Sequence, residues 1–154
     1  MRKKLLVIVF VLLYAFSQDT AYGATPSALD IYNLIYPLQP GVNVQVAYDI
    51  LGPSHEITER KGTIPPGLIW YPAPNRAIVV FLRNDSTLEN CSYVEIYEEK
   101  EFARQRYEVL KGDFRSILGT PLQEFEWGTS WRVKNFTFAM DYEGPKMTIS
   151  FFAQ

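Results

Sequence analysis

The chain contains an internal repeat, and a repeat constrains a fold more tightly than any single motif. Residues 44–53 read VQVAYDILGP and residues 109–121 read VLKGDFRSILGTP. Ile50, Leu51 and Gly52 match Ile117, Leu118 and Gly119, and a proline follows shortly after each glycine. Both stretches are predicted helices with the same stop signal. Glycine takes the position just past the last helical residue without a Cβ penalty, and proline cannot continue the helix.

The correspondence extends beyond the helices. Trp70 and Trp131 each follow the stop after a polar, turn-rich stretch, and each leads to an asparagine, Asn75 and Asn135. A β-rich run comes next, 77–84 in one half and 136–142 in the other. After a turn, at 85–87 and at 143–145, a further alternating run appears at 91–97 and at 147–152. Helix, strand, strand, strand therefore occurs twice, with expected units at 24–97 and 98–154. In that scheme Trp70 and Trp131 are equivalent core anchors.

Periodicity supports each element. Ala103, Tyr107, Leu110, Phe114 and Ile117 form an apolar stripe at helical spacing, while Arg104, Glu108, Lys111 and Arg115 fall outside it. In the first half, Ser27 with Asp30 predicts a capped helix through Tyr36, ended by Pro37. A Pro40-Gly41 turn follows, then a second helix capped by Asn43. Ile78, Val80 and Leu82 alternate with Val79 and Phe81, so this strand is apolar on both faces and expected to be central. Tyr93, Glu95 and Tyr97 alternate with Val94 and Ile96, giving one polar-aromatic face and one apolar face. Phe138, Met140 and Tyr142 alternate with Thr137, Ala139 and Asp141. The short turns require antiparallel hairpins. The expected class is α+β: two tandem α-β-β-β units forming an antiparallel sheet, with helices packed on one face and aromatics showing on the other.

The start of the chain has the form of an export signal. Arg2, Lys3 and Lys4 precede twelve uninterrupted apolar residues, 5–16, and small residues at Ala21 and Gly23 place the expected cut after Gly23. Twelve helical residues reach only about 18 Å, against a hydrocarbon core of about 30 Å, so a permanent span is the weaker reading. With no cysteine near the cut, lipid attachment is excluded, and a soluble periplasmic or extracellular protein is expected unless an uncut leader anchors it. Losing Arg2, Lys3, Lys4 and Asp19 takes the net charge from −2 to −4, which argues against nucleic acid as a partner.

Pro40-Gly41, the helix ending at Gly52-Pro53, Trp70-Tyr71 and the run 77–82 together resemble the small domain of the outer-membrane β-barrel assembly lipoprotein family. That family's pattern is a Pro-Gly turn, a short helix, Leu-Gly-x-Pro and a later aromatic strand. In this chain the proline follows Gly52 directly. The doubled arrangement is similar to the β-lactamase inhibitor protein fold. The resemblance implies two units whose strands lie side by side in one curved sheet.

Catalytic chemistry has little to build on. The chain holds one cysteine, Cys91, and one histidine, His55. Neither an intramolecular disulfide nor a Cys/His zinc cluster is expected, and no phosphate loop or dinucleotide fingerprint occurs. Cys91 reads as a small apolar strand residue, with pairing between chains as the alternative. His55 reads as a solvated loop residue. A small cysteine-dependent hydrolase or redox protein using Cys91 and His55 is the runner-up reading. The favoured one is a non-catalytic exported module that binds another envelope or secreted protein without a cofactor. Aromatic residues, 15% of the chain, are its resource. Trp70, Tyr71, Tyr93, Tyr97 and Trp127 are the candidate contacts, placed on the open sheet face and adjacent loops. Trp127 lies outside the repeat, beside a Gly-Thr-Ser stretch.

Overall fold

The computed structural model describes residues 25–153; the leader expected at residues 1–23, with its cut after Gly23, lies outside the described residues. Helix α1 (Ala28–Ile35) opens on Ser27. The Ser27 Oγ accepts the Asp30 N–H at 3.1 Å, and Asp30 Oδ2 accepts the Ser27 N–H at 2.9 Å. This reciprocal box satisfies two donors that the first turn would otherwise leave unpaired. Tyr36–Leu38 forms one 3-10 turn at Pro37. Helix α2 (Val44–Leu51) starts from Asn43, whose Oδ1 accepts the Gln45 N–H at 2.9 Å.

Helix α3 (Lys100–Leu118) buries Ala103, Tyr107, Leu110 and Phe114, as its period predicts. Ile117 departs from the expectation: it is 39% exposed, and Leu118 packs against the core instead. Alternating steps of four and three average 3.5 residues, so over two heptads a straight helix drifts about 40° from that spacing. Gly112 leaves α3 unbroken and faces open space.

Eight strands follow from the alternating runs: β1 (Glu56–Thr58), β2 (Gly67–Ala73), β3 (Arg76–Leu82), β4 (Leu88–Ile96), β5 (Gln123–Glu124), β6 (Gly128–Val133), β7 (Phe136–Glu143) and β8 (Lys146–Ala153). All pairings are antiparallel, and the order across the sheet is β1-β2-β3-β4-β8-β7-β6-β5. The two halves thus meet through their last strands, with Tyr93 opposite Ile149 at the seam. The short edge strands β1 and β5 were not part of the expected pattern; such brief edges offer little template for another strand.

The two halves share one hydrogen-bond pattern. Trp70 Nε1 donates to Gly52 O at 2.9 Å, and Trp131 Nε1 donates to Gly119 O at 3.0 Å. Both glycines adopt positive φ, 75° and 83°, and both donate their N–H to the residue four back. Each half therefore ties the end of its helix to its own buried tryptophan. The core is nevertheless shared. Ile31 and Ile35 of α1, Tyr107 and Phe114 of α3, Trp70, Tyr93, Trp131 and Phe138 belong to one buried cluster. Tyr32 of α1 lies 5.8 Å from Phe138 and 6.2 Å from Phe151, both in the second half. The helices pack together on one side of the sheet. Among the described residues, no helix is long and apolar enough to cross a membrane.

Candidate functional site

Antiparallel register determines which side chains share the face that the described helices leave uncovered. Ile69 pairs with Val79, Val79 with Ser92, Ser92 with Ser150 and Ser150 with Ala139, and directly opposed residues point to the same side. A neighbouring row runs from Ala77 through Val94 and Thr148 to Asp141. Across the seam the face changes chemistry. On β2–β4, Ile69, Ala77, Val79 and Val94 are buried beneath the half-buried side chains of Tyr71, Phe81 and Ile96. No helix residue of the described chain belongs to this cluster. On β8–β6, hydroxyls take over, beginning with Ser92 and Ser150, whose Oγ atoms lie 2.8 Å apart. Asp141 sits among them, and partial burial raises its carboxyl pKa despite Lys146 nearby.

His55 and Glu56 border the apolar half. The His55 ring stacks on Tyr71 with centroids 5.8 Å apart, and His55 Nδ1 accepts the Tyr71 N–H at 2.8 Å. That bond assigns the ring proton to Nε2. Burial, reinforced by Glu56, raises the Tyr71 phenol above its ordinary range.

The candidate contacts divide. Tyr71 lies on the face that no described helix covers. Trp127 is 59% exposed and stacks on Phe125, 53% exposed, with centroids 5.6 Å apart and ring planes at 12°. Two expectations need correction: Trp70 and Tyr93 lie beneath the helices, 2% and 1% exposed, and present nothing to a partner. Tyr97 also projects to the helix side, half-buried. The face carrying Tyr93, Glu95 and Tyr97 is thus the one the described helices cover, and no described helix covers the face of Val94 and Ile96.

The inversion has a physical cause in a buried ion cluster. Glu95 is 1% exposed, and an unpaired carboxylate there would be strongly destabilising. Arg106 of α3 donates from Nε to Glu95 Oε2 at 3.0 Å, and Arg76 Nε lies 3.9 Å from Oε1. The Tyr93 hydroxyl donates to Oε1 at 2.7 Å, and the Tyr97 hydroxyl donates to Oε2. Arg106 also reaches Pro26 O at 2.6 Å, fastening the entry to α1. Burial first and the adjacent carboxylate second raise both phenols well above their ordinary range.

Cys91 and His55 do not form a dyad. Cys91 opposes Val80 and Phe151 on the helix-covered face and is wholly buried, whereas His55 stacks on Tyr71 on the other face. Desolvation pushes the thiol up to about 12, so thiolate is scarce at neutral pH. Among the described residues, no three His, Cys, Asp or Glu side chains gather where a metal ion could be held.

Sequence reasoning missed Phe81, Ile96 and the four aliphatic residues beneath them as one cluster. The signal was present in the 77–82 run, apolar at consecutive positions, which implies apolar side chains on both faces of that strand. Phe125, two residues before Trp127, carried the corresponding signal for the hairpin. Compared with known protein families, curated proteins and solved structures, the chain matches none.

Proposed function

We propose that this chain is a non-catalytic protein-binding module of the bacterial envelope or secreted fraction, engaging its partner with the sheet face that no described helix covers and the β5–β6 hairpin. The carrying observation is the apolar half of that face: Tyr71, Phe81 and Ile96 over Ile69, Val79 and Val94, with no covering helix among the described residues. Ile69, Val79 and Val94 are each 5% exposed or less, so the part of this surface that meets a partner is the half-buried Tyr71, Phe81 and Ile96. Contiguous apolar patches mark interaction sites. The Phe125–Trp127 pair adds rigid aromatic area at low entropic cost. Export rests on the form of residues 1–23. The relation to the β-lactamase inhibitor protein fold and the assembly lipoprotein family rests on the motifs around Pro40-Gly41, Gly52-Pro53 and Trp70.

Site-specific photocrosslinking in the native host tests the proposal. A crosslinker at Phe81 or Trp127 should trap the same discrete partner, while one at Val109, 58% exposed on α3, should trap none. Equal trapping at Val109, or no adduct at Phe81 and Trp127, refutes it.

A further inference from the structure

The edge strand β1 begins at Glu56, opposite Ile69, and just before it a side chain stands in for main chain. The His55 N–H donates to Ile69 O at 2.8 Å, an ordinary main-chain bond. The Tyr71 N–H, two residues along β2, goes instead to the imidazole Nδ1 of His55 at 2.8 Å. The His55 ring stacks on Tyr71, and the Tyr71 hydroxyl donates to the Glu56 carboxylate. Consecutive residues thus hold one tyrosine at both ends, His55 by its amide and Glu56 by its phenol. Tyr71 is one of the half-buried side chains of the apolar cluster on the face that no described helix covers.

The bond to Tyr71 depends on one lone pair. Nδ1 accepts an N–H only in neutral imidazole, whereas in imidazolium both ring nitrogens carry protons and donate. Two N–H groups would then face each other across 2.8 Å, and the ring must turn away. His55 is the chain's only histidine and is exposed, so protons reach it freely. Histidine is the side chain that ordinarily titrates between about pH 5 and 8. The titratable groups facing the ring are Glu56, next in the chain, and Tyr71 from β2, the strand packed against it. Burial and the bond to Glu56 keep the Tyr71 phenol neutral across that window, and the Glu56 carboxylate offers the turned imidazolium an opposite charge.

We infer that His55 is an acid-sensitive clip on the partner-binding face, which releases Tyr71 below about pH 6 and so weakens the hold on the partner; this rests on the protein-binding reading above. Above the ordinary histidine range the clip is closed, and it opens as pH falls through that range. Opening removes both the main-chain bond and the ring that stacks on Tyr71, leaving the phenol end alone fastened. A contact side chain that must be ordered again on binding contributes less affinity than one already held.

Amide hydrogen exchange read by NMR, normalised to the intrinsic rate at each pH, tests the clip. Protection of the Tyr71 amide should fall roughly fivefold to tenfold between about pH 7.5 and about pH 5, the size of one lost hydrogen bond. The Val79 amide, on the central strand β3, should keep its protection. His55→Asn places a side-chain oxygen near the position of Nδ1 and does not titrate, so Tyr71 should stay protected at both pH values; in His55→Ala it should be poorly protected at both. Crosslinking from Phe81 in the native host should weaken at the lower pH in the wild type and hold in His55→Asn. Wild-type protection that does not change with pH, or a fall that persists in His55→Asn, overturns the clip. Crosslinking indifferent to pH while the Tyr71 amide opens overturns its role in binding. If Phe81 yields no crosslink at either pH while the amide behaves as expected, the protein-binding reading fails and the pH-dependent bond stands alone.

Discussion

Replacing Trp131 tests how the molecule is held together. The side chain is wholly buried, its ring 6.0 Å from Phe114 and 5.9 Å from Phe138, and Nε1 holds Gly119 O at 3.0 Å. Trp131→Ala removes the ring packing and the bond that ties down the end of α3. Truncations of buried tryptophan cost about 3–5 kcal/mol. Against a total stability of about 5–15 kcal/mol for a domain of this size, that is a large fraction. Trp131→Phe separates the two contributions. Most of the aromatic contact survives, and loss of the hydrogen bond costs about 1 kcal/mol, with a further increment for the space left by the smaller ring. The corresponding change at Trp70, which is 2% exposed and bonded to Gly52 O at 2.9 Å, should cost a similar amount if the two halves are built alike. Urea unfolding followed by far-UV circular dichroism measures all three. The midpoints should shift at constant slope, and Trp127→Ala should stay within about 0.5 kcal/mol of wild type as a surface control. The reasoning fails if Trp131→Ala falls within about 1 kcal/mol of wild type, or if Trp131→Phe is as costly as Trp131→Ala.

Three further outcomes follow from the buried groups. Glu95→Ala strands Arg106 and two tyrosine hydroxyls and should cost about 3–5 kcal/mol; adding Arg106→Met should recover part of the loss in a double-mutant cycle, and strict additivity would contradict the coupling. Cys91, with its thiol pushed up to about 12, should resist a thiol reagent at pH 8 in the folded protein and label promptly in urea; rapid native labelling would contradict its burial. Tyr71, Tyr93 and Tyr97 ionise more readily unfolded than folded, so their contribution to stability is complete below the ordinary phenol value of about 10 and is lost as pH rises beyond it. Phenolate absorbance should therefore appear in two phases, the later one coinciding with alkaline unfolding.

Much of the architecture was legible because it depends on local chemistry. The Ser27 and Asn43 caps, the stop at Pro37 and the glycines that end α2 and α3 are satisfied by residues within four positions of one another. Alternation at 77–82, 91–97 and 136–142 likewise sorted side chains into two faces correctly, because a strand's period of two is a property of its own backbone. The pairing of Trp70 with Trp131 emerged from repeated spacing and reappears as the same bond to a helix-ending glycine.

Which face is covered depends on contacts distant in sequence, and there the local pattern gives no answer. Tyr93, Glu95 and Tyr97 look like a solvent face when taken alone. Arg106, eleven residues away on α3, and Arg76 on the neighbouring strand turn that row into a neutralised interior. Val94 and Ile96 are left on the side that no described helix covers for the same reason. The candidate surface moved with them, from Tyr93 and Trp70 to Tyr71, Phe81 and Ile96. Periodicity separates a strand's two sides, but only the partners that three-dimensional packing brings to each side determine which one meets water. That is why the fold class and the caps could be read from residue order, whereas the seam between β4 and β8 and the apolar face that no described helix covers required the assembled chain.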